Sequence, residues 1–205
     1  MDKTGETHQG LLDMAFFRLV PNLTIMAPKD FKELEDMLEF AVNLNKPVVI
    51  RYPRGGEGKE KFDKHAKIKY GKAEIIKQGK YISIIAIGKT VERAVQVSKM
   101  LEKDDIYAEV INVRFLKPFD KNTIKKSIEK TKKVITIEDG TIINGLATAV
   151  KELIVEEKLE NIEIKNYSYP DKFIEHGNVE ELEKLYKQDA KYIYKNIKWN
   201  IGDRD

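Results

Sequence analysis

Apolar runs alternate with stretches of helical periodicity along most of this chain, and that alternation constrains the fold more than any other feature. The runs are Thr24-Ile25-Met26-Ala27, Pro47-Val48-Val49-Ile50 and the segments at 81–87, 107–113, 134–137 and 162–167. They read as largely unbroken apolar stretches. A sheet with one wet face would alternate apolar and polar residues, so such runs suit strands buried on both faces of a parallel sheet. Between them lie helical patterns. Asp30 has the chemistry of an N-cap, with Glu33 placed as in a capping box. Phe31, Leu34, Leu38, Ala41 and Val42 then recur at helical spacing. A helix over 90–103 carries Val91, Ala94, Val95 and Leu101. Asp120 caps a helix with Ile124 and Ile128, and a further helix runs through Leu146, Ala149, Val150 and Leu153. One or two amphipathic helices fill 179–197. The predicted class is α/β, with a doubly wound, mostly parallel sheet and helices on both faces.

The pattern fails once, between Gly55 and about Gly79, where glycines mix with a dense run of Lys, Glu and Asp. A boundary is expected there: residues 1–55 as one unit, 56–79 as a linker, 80–198 as a second unit and 199–205 as a frayed tail. At 205 residues, 41% hydrophobic and 35% charged, the chain suits a soluble globular protein. The net charge of +3 is spread without a basic stripe, so no nucleic-acid partner is expected. No apolar run approaches the roughly 20 residues of a membrane span. The absence of cysteine excludes disulfides and thiolate metal sites and fits a reducing cytoplasm.

Two stretches carry candidate chemistry. Arg51-Tyr52-Pro53-Arg54-Gly55-Gly56 directly follows an apolar run, at the carboxyl end of a strand, where open α/β sheets bind ligands. A guanidinium offers a forked pair of donors to a phosphate, and the glycines allow close backbone approach. Ordinary surface ion pairs are the competing reading. Thr7-His8-Gln9-Gly10 sets a histidine among small polar residues, where Thr7 and Gln9 could fix its tautomer. Beside an anionic substrate it would be a competent proton donor near neutral pH; a solvated histidine is the plainer alternative. Gly88-Lys89-Thr90 resembles the end of a phosphate loop, but that motif needs a glycine where Ser83 stands. Gly88 therefore reads as a tight turn and Thr90 as a helix cap. Glu138-Asp139-Gly140 reads as a turn rather than a carboxylate pair with metal or acid–base work. His65 and His176 read as solvated or turn residues, and Asn178 as a cap for the helix that follows.

These motifs carry a family resemblance. The chain resembles the C-terminal third of the 1-deoxy-D-xylulose 5-phosphate synthases, thiamine diphosphate enzymes of the transketolase superfamily. Thr7-His8-Gln9-Gly10 through Asp13, Pro21-Asn22 and Met26-Ala27-Pro28 are similar to its pyrimidine-binding domain, and Arg51-Tyr52-Pro53-Arg54-Gly55 to that domain's last strand and turn. Residues 112–120, Asn112-Val113-Arg114-Phe115-Leu116-Lys117-Pro118-Phe119-Asp120, and residues 170–177, Pro170-Asp171-Lys172-Phe173-Ile174-Glu175-His176-Gly177, resemble its C-terminal domain. Residues 1–55 would then be the C-terminal part of the pyrimidine-binding domain and 80–198 the transketolase C-terminal domain.

The resemblance implies an enzyme that condenses pyruvate with glyceraldehyde 3-phosphate and releases CO2, for isoprenoid, thiamine and pyridoxal synthesis. It implies that His8 is catalytic, and that Arg54 holds the substrate phosphate, with Arg51 a second candidate for substrate binding. It implies thiamine diphosphate and Mg2+, bound mainly by residues that this chain does not contain, and a homodimer in the cytoplasm. Thr4 stands where the family usually has aspartate. The chain is expected to be a piece of a larger enzyme and inactive alone, with its first twenty residues poorly ordered, or packed against another copy of the chain or the C-terminal unit. A C-terminal subunit of a split transketolase, or a non-catalytic dimerisation module, are the alternatives.

Overall fold

The computed structural model describes residues 8–53, 56, 58–62 and 66–201. The larger of its two sheets has the strand order β3-β5-β4-β7-β8, built from β3 (Glu74–Lys77), β4 (Ile82–Ala86), β5 (Ala108–Asn112), β7 (Lys133–Thr141) and β8 (Glu163–Tyr169). The β5-β4-β7-β8 pairs are parallel, and β3 joins β5 antiparallel at one edge. The intervening helices are α3 (Thr90–Glu102), α4 (Lys121–Thr131), α5 (Leu146–Glu156), α6 (Val179–Leu185) and α7 (Ala190–Ile201). Strand β4 sits in the middle of the sheet and shows why its run is apolar throughout. Ile82, Ile84 and Ala86 pack with α3 and with Ile193 and Ile197 of α7, whereas Ile85 packs with α4 and α5. Ser83 is the polar exception, and its hydroxyl lies 2.5 Å from Ser127 Oγ and 2.8 Å from Thr131 Oγ1, both on α4. A buried hydroxyl without such partners would cost stability. The doubly wound, mostly parallel architecture agrees with the expectation from the sequence.

The smaller sheet has the order β2-β1-β6. Strands β1 (Thr24–Met26) and β2 (Val48–Ile50) run parallel and are joined by α2 (Phe31–Leu44), which is the strand–helix–strand unit expected. Strand β6 (Phe115–Lys117) pairs antiparallel with β1. It comes from within the 112–120 motif, so one stretch of chain contributes β5 to the large sheet and β6 to the small one. Arg114, between them, takes a left-handed conformation with φ 59°, which turns the chain from one sheet to the other.

Buried charges join the two sheets. Glu33 is 1% exposed although it lies on α2. Its carboxylate accepts from Lys29 N at 2.7 Å, Lys29 Nζ at 3.2 Å, Arg114 Nε at 2.6 Å and Asn112 Nδ2 at 3.0 Å. Glu74 of β3 adds a second carboxylate, 3.3 Å from Lys29 Nζ and 2.9 Å from Arg114 Nη2. Asp30 caps α2 through Glu33 N at 2.7 Å. The reciprocal half of the expected capping box is displaced, because Glu33 reaches the amide of Lys29 while its charge is drawn inward by Arg114. This inward carboxylate also turns the helix. Phe31, Leu38 and Val42 are 56%, 50% and 84% exposed, whereas Met37 is fully buried.

Three elements had no counterpart in the sequence reading: α1 (Asp13–Arg18), β3 and β6. Strand β3 lies inside the stretch expected as linker, and α7 continues into the expected tail. Thr90 does not cap α3. Its hydroxyl lies 2.8 Å from both Ile87 O and Ile137 O, either of which can accept its one proton, and it bridges the ends of β4 and β7. Glu138-Asp139-Gly140 is not a turn. Strand β7 runs through it to Thr141, pairing with Tyr169 of β8. Asp120 and Asn178 cap α4 and α6 as expected. No helix among the described residues is long and apolar enough to cross a membrane.

Candidate functional site

The carboxyl ends of β1, β2, β4 and β7 converge where the two sheets meet. In open α/β folds that is where ligands bind. Arg51 leaves β2 there, its amide donating to Met26 O at 2.8 Å. Its guanidinium crosses to the large sheet. Nη1 donates to Asp139 Oδ2 at 2.5 Å and Nη2 to the Asp139 carbonyl at 3.4 Å. Asp139 is 5% exposed. Burial alone would raise its carboxyl pKa, but Arg51, Lys89 and Arg93 hold it below the ordinary carboxylate value. Burial opposes the charge on Arg51, yet Asp139, Asp13 and Glu138 keep it raised. Lys89 Nζ stands 3.9 Å from Asp139 Oδ2 and 4.0 Å from Glu183 Oε1, and Arg93 pairs with Glu183.

The segment carrying His8 lies over this pair. Gly10 has φ 69°, and a methyl group there would stand 3.0 Å from Asp13 Oδ2 and 3.9 Å from Arg51 Nη2. Leu11 O accepts from Thr141 N at 3.0 Å, at the end of β7. Gln9 Nε2 donates to Glu175 O at 3.1 Å, and Asn144 Nδ2 to Ala15 O at 2.6 Å. Arg18 bonds Asn144 Oδ1 at 2.9 Å and pairs with Glu152. Residues 8–20 therefore dock on the large sheet and its loops, which is the packing on the C-terminal unit that was one of the expected outcomes. A cavity of about 570 Å3 separates residues 10–13 from residues 171–174. Two of the motifs thus form facing walls, with Leu11, Leu12, Phe173 and Ile174 apolar and Asp13, Asp171 and Lys172 charged. That volume suits a small metabolite.

Glu138 neighbours Asp139 but points to the other face, beneath α5. It accepts from Leu146 N at 2.8 Å and Ala147 N at 2.9 Å, filling two of the orphan amides at the start of that helix. Burial pushes its carboxyl up to about 7, against the pull of those two amides; Asp139 raises it further. Gly145 is required beside it, since a Cβ there would stand 2.1 Å from Glu138 Oε2.

Of the sequence-predicted site residues, Arg51 meets the segment two residues past His8. His8 itself is exposed. Arg54, Thr7 and His65 lie outside the described residues. His176 is exposed just before α6. Sequence reasoning passed over Asp139 and Lys89. A signal for Asp139 existed: the apolar run 134–137 ends in two carboxylates at the point where a central strand meets its ligand crevice. Among the described residues no group of three or more His, Asp or Glu is placed to hold a metal ion.

Residues 71–193 match the family model described as transketolase, C-terminal domain, and residues 1–57 the one described as transketolase, pyrimidine binding domain. The chain belongs to the transketolase C-terminal domain family. Its curated relatives include the 1-deoxy-D-xylulose-5-phosphate synthase of Halothermothrix orenii, 42% identical over 201 residues that span 98% of this chain and 32% of that protein. The synthase of Dictyoglomus turgidum is 45% identical over 183 residues, 89% of this chain and 29% of that protein. The chain thus spans about a third of the length of the curated relatives it matches. Among solved structures, one described as "Split gene transketolase, inactive beta4 tetramer" superposes with a TM-score of 0.87 at 29% identity, covering 95% of this chain and 63% of that one. A transketolase mutant from Pichia stipitis, at 19% identity and a TM-score of 0.69 over 94% of this chain and 27% of its own, shares the fold.

Proposed function

We propose that this chain is the C-terminal portion of a 1-deoxy-D-xylulose 5-phosphate synthase, a transketolase-type enzyme that joins pyruvate to glyceraldehyde 3-phosphate with loss of CO2. The observation that carries the reading is the meeting of the His8 segment with Arg51 at the carboxyl ends of the strands. His8 would contact the aldehyde substrate or the reacting intermediate. Arg54, three residues past Arg51 in the sequence, would hold the substrate phosphate by its forked donors. Arg51 stands beside Gly10, and the cavity there would receive the substrate's carbon chain.

In this family thiamine diphosphate supplies the electron sink for decarboxylation. The described residues offer no carboxylate or histidine cluster for the Mg2+ that accompanies a diphosphate. The reading assigns the residues of this chain to substrate rather than to the diphosphate and holds the chain alone to be inactive. The enzyme would act in the cytoplasm as a homodimer. The test incubates the chain with thiamine diphosphate, Mg2+, pyruvate and glyceraldehyde 3-phosphate, with and without a polypeptide carrying a diphosphate-binding domain. Product only in the supplemented mixture supports the reading. Product from the chain alone overturns the inactivity, and absence of product in both, together with no thermal shift by glyceraldehyde 3-phosphate, overturns the assignment. The solved neighbour described as an inactive β4 tetramer favours one second reading, a self-associating module without chemistry of its own. Light scattering that gives an oligomer, with no ligand-induced thermal shift, would select it.

A further inference from the structure

We propose that Asp139 is a positioning residue: through Arg51 it sets the spacing between the His8-Gln9-Gly10 segment and residues 51–53, where the chain leaves β2. The inference deepens the functional reading above, and rests on it for the identity of the two substrate-facing stretches. It rests on the geometry for the rest.

Three parts of the chain, distant in sequence, meet at this carboxylate. The first is Arg51, which has both Nη atoms committed to Asp139, one to the carboxylate and one to the carbonyl. Only 13% of its side chain is exposed. A guanidinium held in that way has little left to offer a phosphate. The second is the N-terminal segment, which comes within reach of the same guanidinium at Gly10 and is pinned one residue later by Thr141 N to Leu11 O at 3.0 Å. The third is β7, an inner strand paired on both sides in the large sheet, which presents Asp139 and Thr141 from a rigid element. Sites supported from strands hold their geometry better than sites built on loops alone. Arg51 is in this account the link, and the C-terminal unit shapes a substrate site formed by residues of the N-terminal one.

Electrostatics makes the idea separable from simple ion pairing. Asp139 is an anion near a proposed phosphate site. If it had no positioning role, neutralising it would leave phosphate binding unchanged or strengthen it, because a like charge has been removed. A positioning role requires the opposite sign.

The experiment compares the full chain with Asp139→Asn, Arg51→Lys and a control, Val97→Ala, that opens a small void beneath α3 among Ile84, Ile137 and Ile193. Two readouts are taken. Hydrogen exchange at the Thr141 amide and the ring resonances of His8 report docking of the N-terminal segment. Thermal shifts titrated with glyceraldehyde 3-phosphate report affinity. Asp139→Asn and Arg51→Lys are each expected to speed Thr141 exchange at least tenfold, to move the His8 resonances in the same direction, and to weaken glyceraldehyde 3-phosphate at least tenfold. Val97→Ala should lower thermal stability and leave the His8 resonances in place. Unchanged His8 resonances and exchange in both variants overturn the proposal, as does equal or tighter ligand binding by Asp139→Asn. If the unmodified chain shows no binding of glyceraldehyde 3-phosphate, the functional reading fails, and the docking readouts alone decide whether Asp139 positions the segment.

Discussion

Replacing Glu33 by alanine should cost this protein more stability than any surface charge on the same helix. Glu33 accepts from Lys29, Asn112 and Arg114 in a site that is 1% exposed. Removing it leaves the Arg114 guanidinium, itself 2% exposed, with Glu74 as its remaining carboxylate, and strips Asn112 Nδ2 of its acceptor. Breaking a buried pair by deleting one partner costs about 3–5 kcal/mol, because the other charge stays desolvated. With a urea slope of about 2 kcal/mol/M, the unfolding midpoint would fall by about 1.5–2.5 M. Glu35→Ala is the internal reference. Glu35 pairs with Lys32 on the exposed face of the same helix, where solvent screens the pair and it contributes little. Equilibrium urea unfolding followed by circular dichroism measures both. A loss below about 1 kcal/mol for Glu33→Ala, or equal losses for the two variants, would refute the argument that this carboxylate bonds the two sheets together.

Two further outcomes are expected. Because Glu138 is raised from 4.5 to about 7 in the folded chain, the folded state binds the proton more tightly than the unfolded one; its contribution is complete below about pH 4.5 and is lost as pH rises through about 7. The total change is on the order of 3 kcal/mol, and urea midpoints measured across pH should lose that fall in Glu138→Gln; parallel curves would remove the assignment. On α5, Leu153→Ala should destabilise by about 2–5 kcal/mol because Leu153 is 1% exposed, whereas Val155→Ala, at a position 77% exposed, should stay within about 0.5 kcal/mol, as judged by the same denaturation.

Much of the fold was legible because burial on both faces leaves a direct trace. Ile84 and Ile85 must both be apolar when α3 and α7 lie on one side of β4 and α4 and α5 on the other. Caps were legible for a similar reason: Asp30, Asp120 and Asn178 each satisfy an orphan amide within three residues, so the signal is local. The α2 stripe misled because its apolar periodicity is real while its orientation is set elsewhere. Glu33 turns inward only where Arg114 and Lys29 are present to receive it. Strand β6 had no signature, since three residues gain strand geometry by pairing with β1.

For the candidate site, the residue types at His8 and Arg51 and the place of Arg51 beside a strand end were determined by the sequence alone. So was the parallel α/β class, because a strand covered on both faces has no freedom to carry polar residues in alternation. Tertiary structure decided what those residues touch. It took Asp139 out of an apparent turn, placed it under Arg51, and brought residues 10–13 opposite 171–174 across one cavity. Contacts between residues 88 positions apart depend on how two sheets are set against each other, and no local pattern of side chains encodes that arrangement.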